Sequence, residues 1–438
     1  MTGSIASRRL SLMMFLQYAV WGAWLPVAGR YLSAPLSEGG LGFTGGQIGL
    51  ILGLAGSIGA IASPFIAGQL ADRYFSTERF LAALLALGGV IKLVTATQTS
   101  FGSWLLLSIA YSIVFMPTLA LSNSMAFSHL TDRDQEFPRV RVWGTFGWIA
   151  ASWIFPMLYL QTGLHLQAMP PFLVGPEVPN VTGRLADSLR FSALISWGYS
   201  IYCLFLLPHT PPKRDSVEPL AFAKAFGLLR ERSFAVLVAA SLPISVIHQI
   251  YFIQTPSFLS SLGLRDSQIG PAMTIGQFSE IVIMAFLGRL LARFGFRAVI
   301  TLGAVAYFAR YLIWSIPTLP ASVQVSSQAL HGVCYACFFA AAFIYTDRVA
   351  PPDIRHSAQT VFGIIILGGG PVVGGVLSGW LAGHYLTPVG GVDYSILWRV
   401  VALIGLGTAV FFWALFRERK DEAHSVTAGL EAGSSVAV

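Results

Sequence analysis

The chain has 438 residues, of which 55% are hydrophobic and only 11% are charged, and its formal net charge at neutral pH is +7. Soluble domains carry about 25% charged residues, so this chain cannot cover itself with a polar surface, and an ordinary soluble protein is excluded. The basic residues lie in short segments between apolar stretches, which argues against a nucleic-acid partner and favours a role as topology signals.

Twelve apolar segments follow one another along the chain, each long enough to cross a lipid bilayer as a helix of about 20 residues. They form two sets of six. The first set is 10–32, 47–71, 79–98, 102–127, 140–161 and 188–208, and the second set is 234–260, 268–292, 297–316, 323–347, 357–383 and 395–416. We therefore predict an all-α membrane protein with 12 transmembrane helices.

A polar, basic and proline-broken segment separates the two sets. We predict an N-terminal six-helix half over 1–208, a cytoplasmic linker over 209–233, a C-terminal six-helix half over 234–417 and a disordered cytoplasmic tail over 418–438. Lysine and arginine concentrate in alternate loops between the predicted helices. By the positive-inside rule, this alternation places both termini in the cytoplasm.

Short motifs recur in the two sets at similar separations along the chain. The pattern at 68–73, after the second segment, returns at 288–293, after the eighth, and the pattern at 138–141 returns at 352–355. This recurrence indicates duplication of a six-helix unit. Two such halves in parallel are the architecture of the major facilitator fold, whose substrate site lies between the halves near the bilayer midplane.

The first copy of the loop motif resembles the signature of major facilitator proteins. Its glycine, Gly68, permits close helix approach, and Asp72 and Arg73 can pair with or cap neighbouring helix ends in one conformational state. We predict that Gly68, Asp72 and Arg73 form a gating loop. The second copy has no acid at the matching position, so the prediction is restricted to the first.

Ionisable residues inside the predicted helices are few, because each costs about 2.5–3.5 kcal/mol on insertion scales. Of 20 acidic residues, only Glu280 lies deep in an apolar segment. Burial favours the neutral form of a carboxyl group, so Glu280 can exchange a proton near neutral pH. Gln277 projects from the same helix face. We interpret Glu280 as a proton-coupling residue, with a structural carboxyl, paired with a cation or with Gln277, as the alternative.

Several basic residues have two possible roles. Arg141 and Thr145 are four residues apart at the start of the fifth segment, and Trp148 follows one turn later, so all three can face one cavity. Arg141 could instead extend to the cytoplasm as a helix flank. We expect Lys92 and Arg310, in the third and ninth segments, to extend along their helices to the outer membrane surface.

Amides and aromatic rings complete the set of candidate binding residues. Gln249 lies in the middle of the seventh segment and His331 early in the tenth. Aromatic rings in these helices can stack on a planar ligand or pack against lipid. They are Trp21, Trp24, Trp148, Tyr251, Phe252 and Tyr335. Together, the amides, acid, arginine and aromatic rings favour a polar, partly planar cargo.

Enzymatic and ATP-driven functions have little support. The chain contains no G-x-x-x-x-G-K-[ST] phosphate-binding loop, and no cluster of residues has the spacing of metal ligands or of a catalytic triad. Cys334 and Cys337 form a C-x-x-C pattern without a second pair, and we interpret them as small helix-packing residues. We predict a transporter that needs no metal and no cofactor.

Five segments in both halves carry a resemblance to a known family. They are 15–24, 116–119, 137–145, 276–280 and 354–359, and together they resemble the bacterial nucleoside/proton symporters of the major facilitator superfamily. In that family, polar groups bind the ribose hydroxyls and the base edge while rings stack on the base. The resemblance implies that the substrate-binding residues here are Arg141, Thr145, Trp148, Gln249, Gln277, Glu280, His331 and Tyr335, with Glu280 coupling the proton.

Two positions depart from the family pattern. Ala336 stands where the characterised nucleoside permease of the family has an acid, and Phe252 stands where it has an asparagine. Proton coupling would then rest on Glu280 alone. The expected function is proton-coupled uptake of nucleosides by alternating access, in a monomer in the bacterial inner membrane. Alternatives are a symporter for a sugar, modified base or glycoside, a drug/proton antiporter, and a non-transporting receptor.

Overall fold

The computed structural model describes residues 3–66, 74–131, 133–167, 173–211, 227–351, 355–388 and 391–418. Within these ranges the chain is mostly helical, as predicted. A two-stranded antiparallel sheet pairs β1, His165–Leu166, with β2, Leu173–Val174, in the loop between the fifth and sixth predicted helices. The described part of every predicted segment coincides with a helix, so we number these helices as spans 1 to 12.

Spans 1 and 2 depart locally from α-helical geometry, and span 1 is interrupted at Ala23 and Trp24. Span 2 contains a π-helical turn, in which the hydrogen bonds skip one residue more than in an α-helix. Short helices also occur at Leu36–Glu38 and Val181–Arg184. The spans are Gly3–Gly22 with Leu25–Ser33; Gly45–Gly49, π-helical Leu50–Leu54 and Ala55–Phe65; Thr77–Thr95; Phe101–His129; Arg133–Tyr159; and Asp187–Phe205.

Spans 7 to 12 contain two further π-helical turns, in spans 10 and 11. Spans 8 and 9 are joined at Gly295, whose φ of 72° favours glycine. The spans are Arg232–Ser261; Asp266–Met273 with the first part of Ile275–Trp314; the remainder of Ile275–Trp314; Ala321–Ser326, Ser327–Ala329, Leu330–Val333, π-helical Cys334–Ala340 and Ala341–Val349; Arg355–Ile364, π-helical Ile365–Gly369 and Gly370–His384; and Tyr394–Leu415. A short 3₁₀ helix, Leu228–Arg230, precedes span 7.

The helices suit a membrane by length and composition. Among the described residues, 8 helical stretches are long and apolar enough to cross a bilayer. One of them, Asp266–Trp314, contains both span 8 and span 9, whereas spans 3, 5 and 6 fall outside this set. The predicted all-α membrane class is confirmed.

The chain folds as two compact units. The first consists of spans 1 to 6 together with His248–Ile275 and Leu367–Asp393. The second consists of the described parts of Glu218–Ile247, Gly276–Ile366 and Tyr394–Val438. The predicted division into halves at the 209–233 linker stays a prediction.

Small residues let helices of the first unit pack closely. A Cβ atom at Gly147 in span 5 would collide with the carbonyl oxygen of Phe15 in span 1. A buried polar network joins spans 1, 4 and 6: the Gln17 amide donates to Thr118 over 2.8 Å, and Ser122 donates to Gln17 over 3.0 Å and lies 3.1 Å from the Tyr199 hydroxyl. Each polar atom in this network therefore has a partner, as burial in a membrane protein requires.

The first unit also holds together the predicted outer ends of spans from both predicted halves. Spans 2 and 11 meet glycine against glycine, since a Cβ atom at Gly53 would lie 2.7 Å from the Gly375 Cα, and one at Gly49 would collide with the Gly375 carbonyl. Span 1 meets span 7 at Gly29, where a Cβ atom would collide with the Ile253 carbonyl. Only glycine allows the backbones to approach this closely.

A partly buried ion pair joins chain segments at the same end of the first unit. Arg30 in span 1 donates from Nε to Asp266 over 2.9 Å, and its Nη2 lies 2.7 Å from Glu38. Asp266 is 5% exposed and also accepts a 2.6 Å hydrogen bond from the Thr182 hydroxyl. Span 1, the loop before span 6 and the start of span 8 are thereby joined, so the predicted outer end of this unit is closed.

Aromatic packing fills the second unit. The rings of Tyr311 and Trp398 stack with centroids 5.2 Å apart and an interplanar angle of 5°, and Trp314 packs edge-on to Trp398 at 4.8 Å. Span 10 approaches span 9 where a Cβ atom at Gly303 would lie 2.6 Å from the Phe338 nitrogen. These contacts join spans 9, 10 and 12 into one core.

Candidate functional site

Arg141 in span 5 is held against span 1. Its guanidinium carbon lies 4.1 Å from the ring centroid of Tyr18, a cation–π contact. One turn along, Gly144 leaves room for this arrangement, since a Cβ atom there would lie 2.9 Å from Arg141 Nη1. Arg141 is half-buried. These contacts favour an Arg141 side chain that packs against span 1 over one that extends to the cytoplasm as a helix flank.

Trp148 belongs to an aromatic group built by spans 1, 5 and 7. The side chain is 8% exposed and packs edge-on to Trp21 at 5.9 Å and to Phe252 at 6.2 Å. Gly22 lets span 1 approach, because a Cβ atom there would lie 2.7 Å from the Trp148 carbonyl oxygen. Thr145, one turn before Trp148, is half-buried. Phe252, which departs from the family pattern, therefore adds an apolar ring to this aromatic group.

Gln249 in span 7 makes a polar contact with span 2. Its Nε2 donates to the carbonyl oxygen of Leu52 over 2.8 Å. Leu52 lies in the π-helical turn Leu50–Leu54, and π-helical turns often occur at functional sites. The amide is half-buried. Arg141, Thr145, Trp148 and Gln249 all lie in the first unit.

The second group of predicted residues lies where spans 8 and 10 cross. A Cβ atom at Gly276 would lie 2.7 Å from the His331 Cβ, and one at Gly332 would collide with the backbone of Ser279 and Glu280. The two helix backbones therefore pack closely on these glycines. The crossing brings Gln277 and Glu280 of span 8 next to the start of span 10, within the second unit.

Gln277 has an unusual hydrogen-bonding state for a buried amide. The side chain is 8% exposed, and within the described part of the chain its Oε1 accepts no hydrogen bond. A buried acceptor without a partner costs about 1–3 kcal/mol. Glu280, three residues later, is half-buried. The crossing therefore presents an acceptor that a ligand donor could satisfy, next to a carboxyl group.

His331 is 2% exposed and forms a hydrogen bond with Arg310 of span 9. Arg310 Nη1 lies 2.8 Å from His331 Nδ1, and its Nη2 donates to the Tyr311 hydroxyl over 2.7 Å. The expectation that Arg310 extends to the membrane surface is wrong, because the side chain is 0% exposed and lies among the rings of Tyr307, Tyr311 and Trp314. A guanidinium is weakly hydrated and stacks on aromatic faces, so it tolerates this burial.

The expectation that Lys92 extends to the outer membrane surface is also wrong. It is 4% exposed, and its ammonium nitrogen lies 3.1 Å from the ring centroid of Trp24 and 3.9 Å from that of Tyr111. Cation–π contacts with spans 1 and 4 replace the expected exposure at the outer surface. Sequence reasoning missed both buried cations because hydropathy locates a helix without showing which of its faces meets protein.

Tyr335 lies one turn after His331, in the π-helical turn Cys334–Ala340 of span 10. It is half-buried, with its ring centroid 5.9 Å from that of Phe339. Ala336, the second departure from the family pattern, is buried in the same turn. Cys334 and Cys337 are buried free thiols. The predicted gating residues Gly68, Asp72 and Arg73 lie outside the described residues.

Comparison with known families and curated proteins gives a consistent result. A sequence model described as nucleoside H+ symporter matches residues 5–421. The chain is 32% identical over 430 residues to the putative nucleoside transporter YegT of Escherichia coli, with 95% of each chain covered. It is 28% identical to the xanthosine permease of the same organism, covering 94% of this chain and 96% of the permease.

Solved structures share the fold. A mutant of the nucleoside transporter NupG superposes with a TM-score of 0.81 at 25% identity, covering 94% of this chain and 100% of that one. A D-xylose–proton symporter superposes with a TM-score of 0.70 at 12% identity, covering 95% and 98%. The similarity to the D-xylose–proton symporter supports the fold alone, because proteins with one fold transport many different substrates.

Proposed function

Because this chain belongs to the nucleoside H+ symporter family, we propose that it binds nucleosides through the residues described in its two units and couples their movement to a proton on Glu280. The protein is an integral membrane transporter that moves nucleosides together with protons, and its chemistry is not enzymatic. Its architecture is that of the major facilitator proteins. The assignment of individual residues rests on the geometry of each unit.

The observation that carries the assignment is the crossing of spans 8 and 10. Here the unsatisfied Oε1 of Gln277 and the carboxyl group of Glu280 lie on one helix, beside the buried imidazole of His331. A buried polar group without a partner is costly, so it favours binding of a ligand with hydrogen-bond donors. The ribose hydroxyls and base edge of a nucleoside supply such donors.

The first unit has polar and aromatic groups of its own. Arg141 carries hydrogen-bond donors and is restrained by Tyr18, while Thr145 adds a hydroxyl on the same helix face. Trp148 supplies an aromatic surface beside Phe252. In the second unit Tyr335 supplies another ring. Within the first unit we assign polar recognition to Arg141, Thr145 and Gln249 and stacking on the base to Trp148. Within the second unit we assign polar recognition to Gln277 and stacking to Tyr335.

Glu280 is proposed as the proton carrier because of its place in the helix. It lies within an apolar span, where a permanent charge is expensive. A carboxyl group there can be neutral while substrate moves and can ionise when it meets water. In an alternating-access cycle, protonation of Glu280 would accompany nucleoside binding from outside, and release of both would follow on the inside.

We further propose a bacterial inner-membrane location, cytoplasmic termini and a monomeric state. The alternation of basic loops supports the orientation. The closed outer end of the first unit fits a cycle in which the contacts at Gly375 and Asp266 must separate before substrate enters from outside.

A competition experiment tests the proposed cargo. Purified protein would be assayed for displacement of labelled uridine by adenosine, xanthosine, ribose and glucose at pH 5.5 and pH 7.5. We expect nucleosides to compete and the free sugars to fail, with tighter binding at the lower pH. Competition by sugars alone would favour a symporter for another polar solute. Absence of uridine binding at both pH values would contradict the proposal.

A further inference from the structure

The contact between Arg310 and His331 constrains the chemistry of the imidazole. Arg310 Nη1 lies 2.8 Å from His331 Nδ1, and both side chains are almost fully buried. A guanidinium has only donors and keeps its proton, so Nδ1 must accept. An imidazole that accepts at Nδ1 carries its hydrogen at Nε2 and is uncharged. Arg310 therefore holds His331 as a neutral Nε2–H donor.

Arg310 is itself fixed from a second direction. Its Nη2 donates to the Tyr311 hydroxyl over 2.7 Å, and that hydroxyl donates to the Ile247 carbonyl over 3.1 Å. The rings of Tyr307 and Trp314 also surround the guanidinium, with centroids 5.5 Å and 5.4 Å from its central carbon. The cation is thus a rigid link between spans 7, 9 and 10.

A chain of contacts links this cation to the helix segment that carries the proposed proton carrier. His331 packs on Gly276, and its neighbour Gly332 packs on the backbone of Glu280, so one side chain separates Arg310 from the crossing that bears Glu280. Tyr307, which lies beside Arg310, also has Tyr311, Cys334 and Tyr335 close enough to interact with it electrostatically. A fixed positive charge favours the ionised form of a nearby carboxyl group.

We propose that Arg310 is a positioning residue for proton coupling. Through His331 it holds a hydrogen-bond donor beside span 8, and its charge sets the pH at which Glu280 exchanges its proton. This inference rests on the proposed role of Glu280. It assigns to span 9 a function that neither its hydropathy nor the motifs of the sequence indicate.

The pH profile of uptake separates this role from a structural one. Initial uridine uptake into proteoliposomes would be measured from pH 5 to pH 9 for the wild type, Arg310→Gln and Arg310→Lys. Arg399→Gln is the control, because it removes an exposed arginine from the same unit. We expect the midpoint of the Arg310→Gln profile to move to higher pH by roughly one unit, since Glu280 keeps its proton more easily without the cation.

The remaining variants have distinct expected results. Arg310→Lys keeps the charge but cannot reach both partners, so its midpoint should stay near the wild-type value while its maximal rate falls. The Arg399→Gln profile should match the wild type. An Arg310→Gln profile that is lowered but has an unchanged midpoint would overturn the inference, because a merely structural residue gives that result.

Nitrogen NMR on the wild type provides a second test, which holds even if Arg310→Gln fails to fold. The His331 signals of protein with ¹⁵N-labelled imidazoles would be assigned by their loss in His331→Asn. We expect a neutral ring with hydrogen on Nε2 at pH 7. A neutral ring with hydrogen on Nδ1, or a cationic ring, would overturn the inference.

Failure of the inference is distinguishable from failure of the proposed function. If Glu280→Gln abolishes the pH dependence of uptake and the Arg310→Gln midpoint is unchanged, Glu280 remains the carrier and Arg310 has no positioning role. If the Glu280→Gln variant keeps the wild-type pH dependence, the proposed function of Glu280 fails, and the inference about Arg310 fails with it.

Discussion

Contacts with span 1 restrain the side chain of Arg141. The Tyr18 ring, 4.1 Å from the guanidinium carbon, and the room left by Gly144 hold it against span 1. A restrained arginine loses little side-chain entropy when it binds a ligand, which suits a recognition role.

We therefore expect Arg141→Ala to weaken uridine binding. Loss of a hydrogen bond to a charged group costs about 1.5–3 kcal/mol, which is roughly a 10-fold to 150-fold rise in Kd. The matched control is Arg139→Ala, which removes an exposed arginine from the same helix. Calorimetric titration of both variants measures the difference. Equal affinity in the two would remove Arg141 from the site.

Gln277 allows a prediction in which stability and binding change in opposite directions. Replacing it with leucine removes the buried acceptor that has no partner in the described part of the chain. We expect Gln277→Leu to unfold at the same temperature as the ligand-free wild type or higher, while its uridine affinity falls by about 1–3 kcal/mol.

Thermal unfolding in detergent, with and without uridine, measures both quantities for Gln277→Leu. A variant that is strongly destabilised without ligand would indicate a structural role for the amide. A variant that still gains the wild-type thermal shift from uridine would show that Gln277 does not bind the nucleoside.

At the scale of elements, the closure of the first unit depends on glycine. Spans 2 and 11 touch at Gly53 and Gly375, and no larger residue fits between the backbones. An alternating-access cycle needs such a contact to form and separate in each turnover. Helix packing here is therefore part of the transport cycle as well as of the fold.

We expect Gly375→Ala to slow transport more than binding, because the added methyl group prevents closure of the outer end. Uridine uptake should fall at least about 10-fold, which corresponds to about 1.4 kcal/mol against the closed state. The control is Gly383→Ala in the same span, where a Cβ atom meets nothing within 4 Å. Unimpaired uptake by Gly375→Ala would contradict the importance of this contact.

The positions of the helices could be predicted from the sequence. Which side of each helix contacts other parts of the protein could not. The described part of each segment chosen by hydropathy is largely helical, because the cost of burying polar groups in lipid acts on every residue of a span. Hydropathy could not show that Arg310 and Lys92 lie among aromatic rings, since that depends on the rotation of each helix against its neighbours.

The π-helical turns could not be anticipated either. Leu50–Leu54, Cys334–Ala340 and Ile365–Gly369 have compositions like those of the α-helical residues around them. A π-helical turn forms where tertiary packing stabilises an inserted residue, which no local pattern records. The Leu52 carbonyl that accepts from Gln249 lies in one of these turns, and the sequence did not indicate this contact.

At the scale of the whole molecule, the family match supports a proton-coupled nucleoside transporter, and the solved structure of the nucleoside transporter NupG shares the fold. The family resemblance of the sequence motifs implied the same function, whereas the acid, polar and aromatic residues alone indicated only a polar, partly planar cargo. The assignment of single residues to the site remains a prediction. Within the second unit, Glu280 is the residue on which the proposed coupling depends.

The most direct test of proton coupling through Glu280 is to measure proton movement driven by a nucleoside gradient. Proteoliposomes containing a pH-sensitive dye would receive a uridine gradient without an initial pH gradient, and internal pH would be recorded for the wild type and Glu280→Gln. We predict that inward uridine movement acidifies the wild-type vesicles, while Glu280→Gln vesicles show no proton movement and the purified variant still binds uridine. Equal acidification in both would contradict the account.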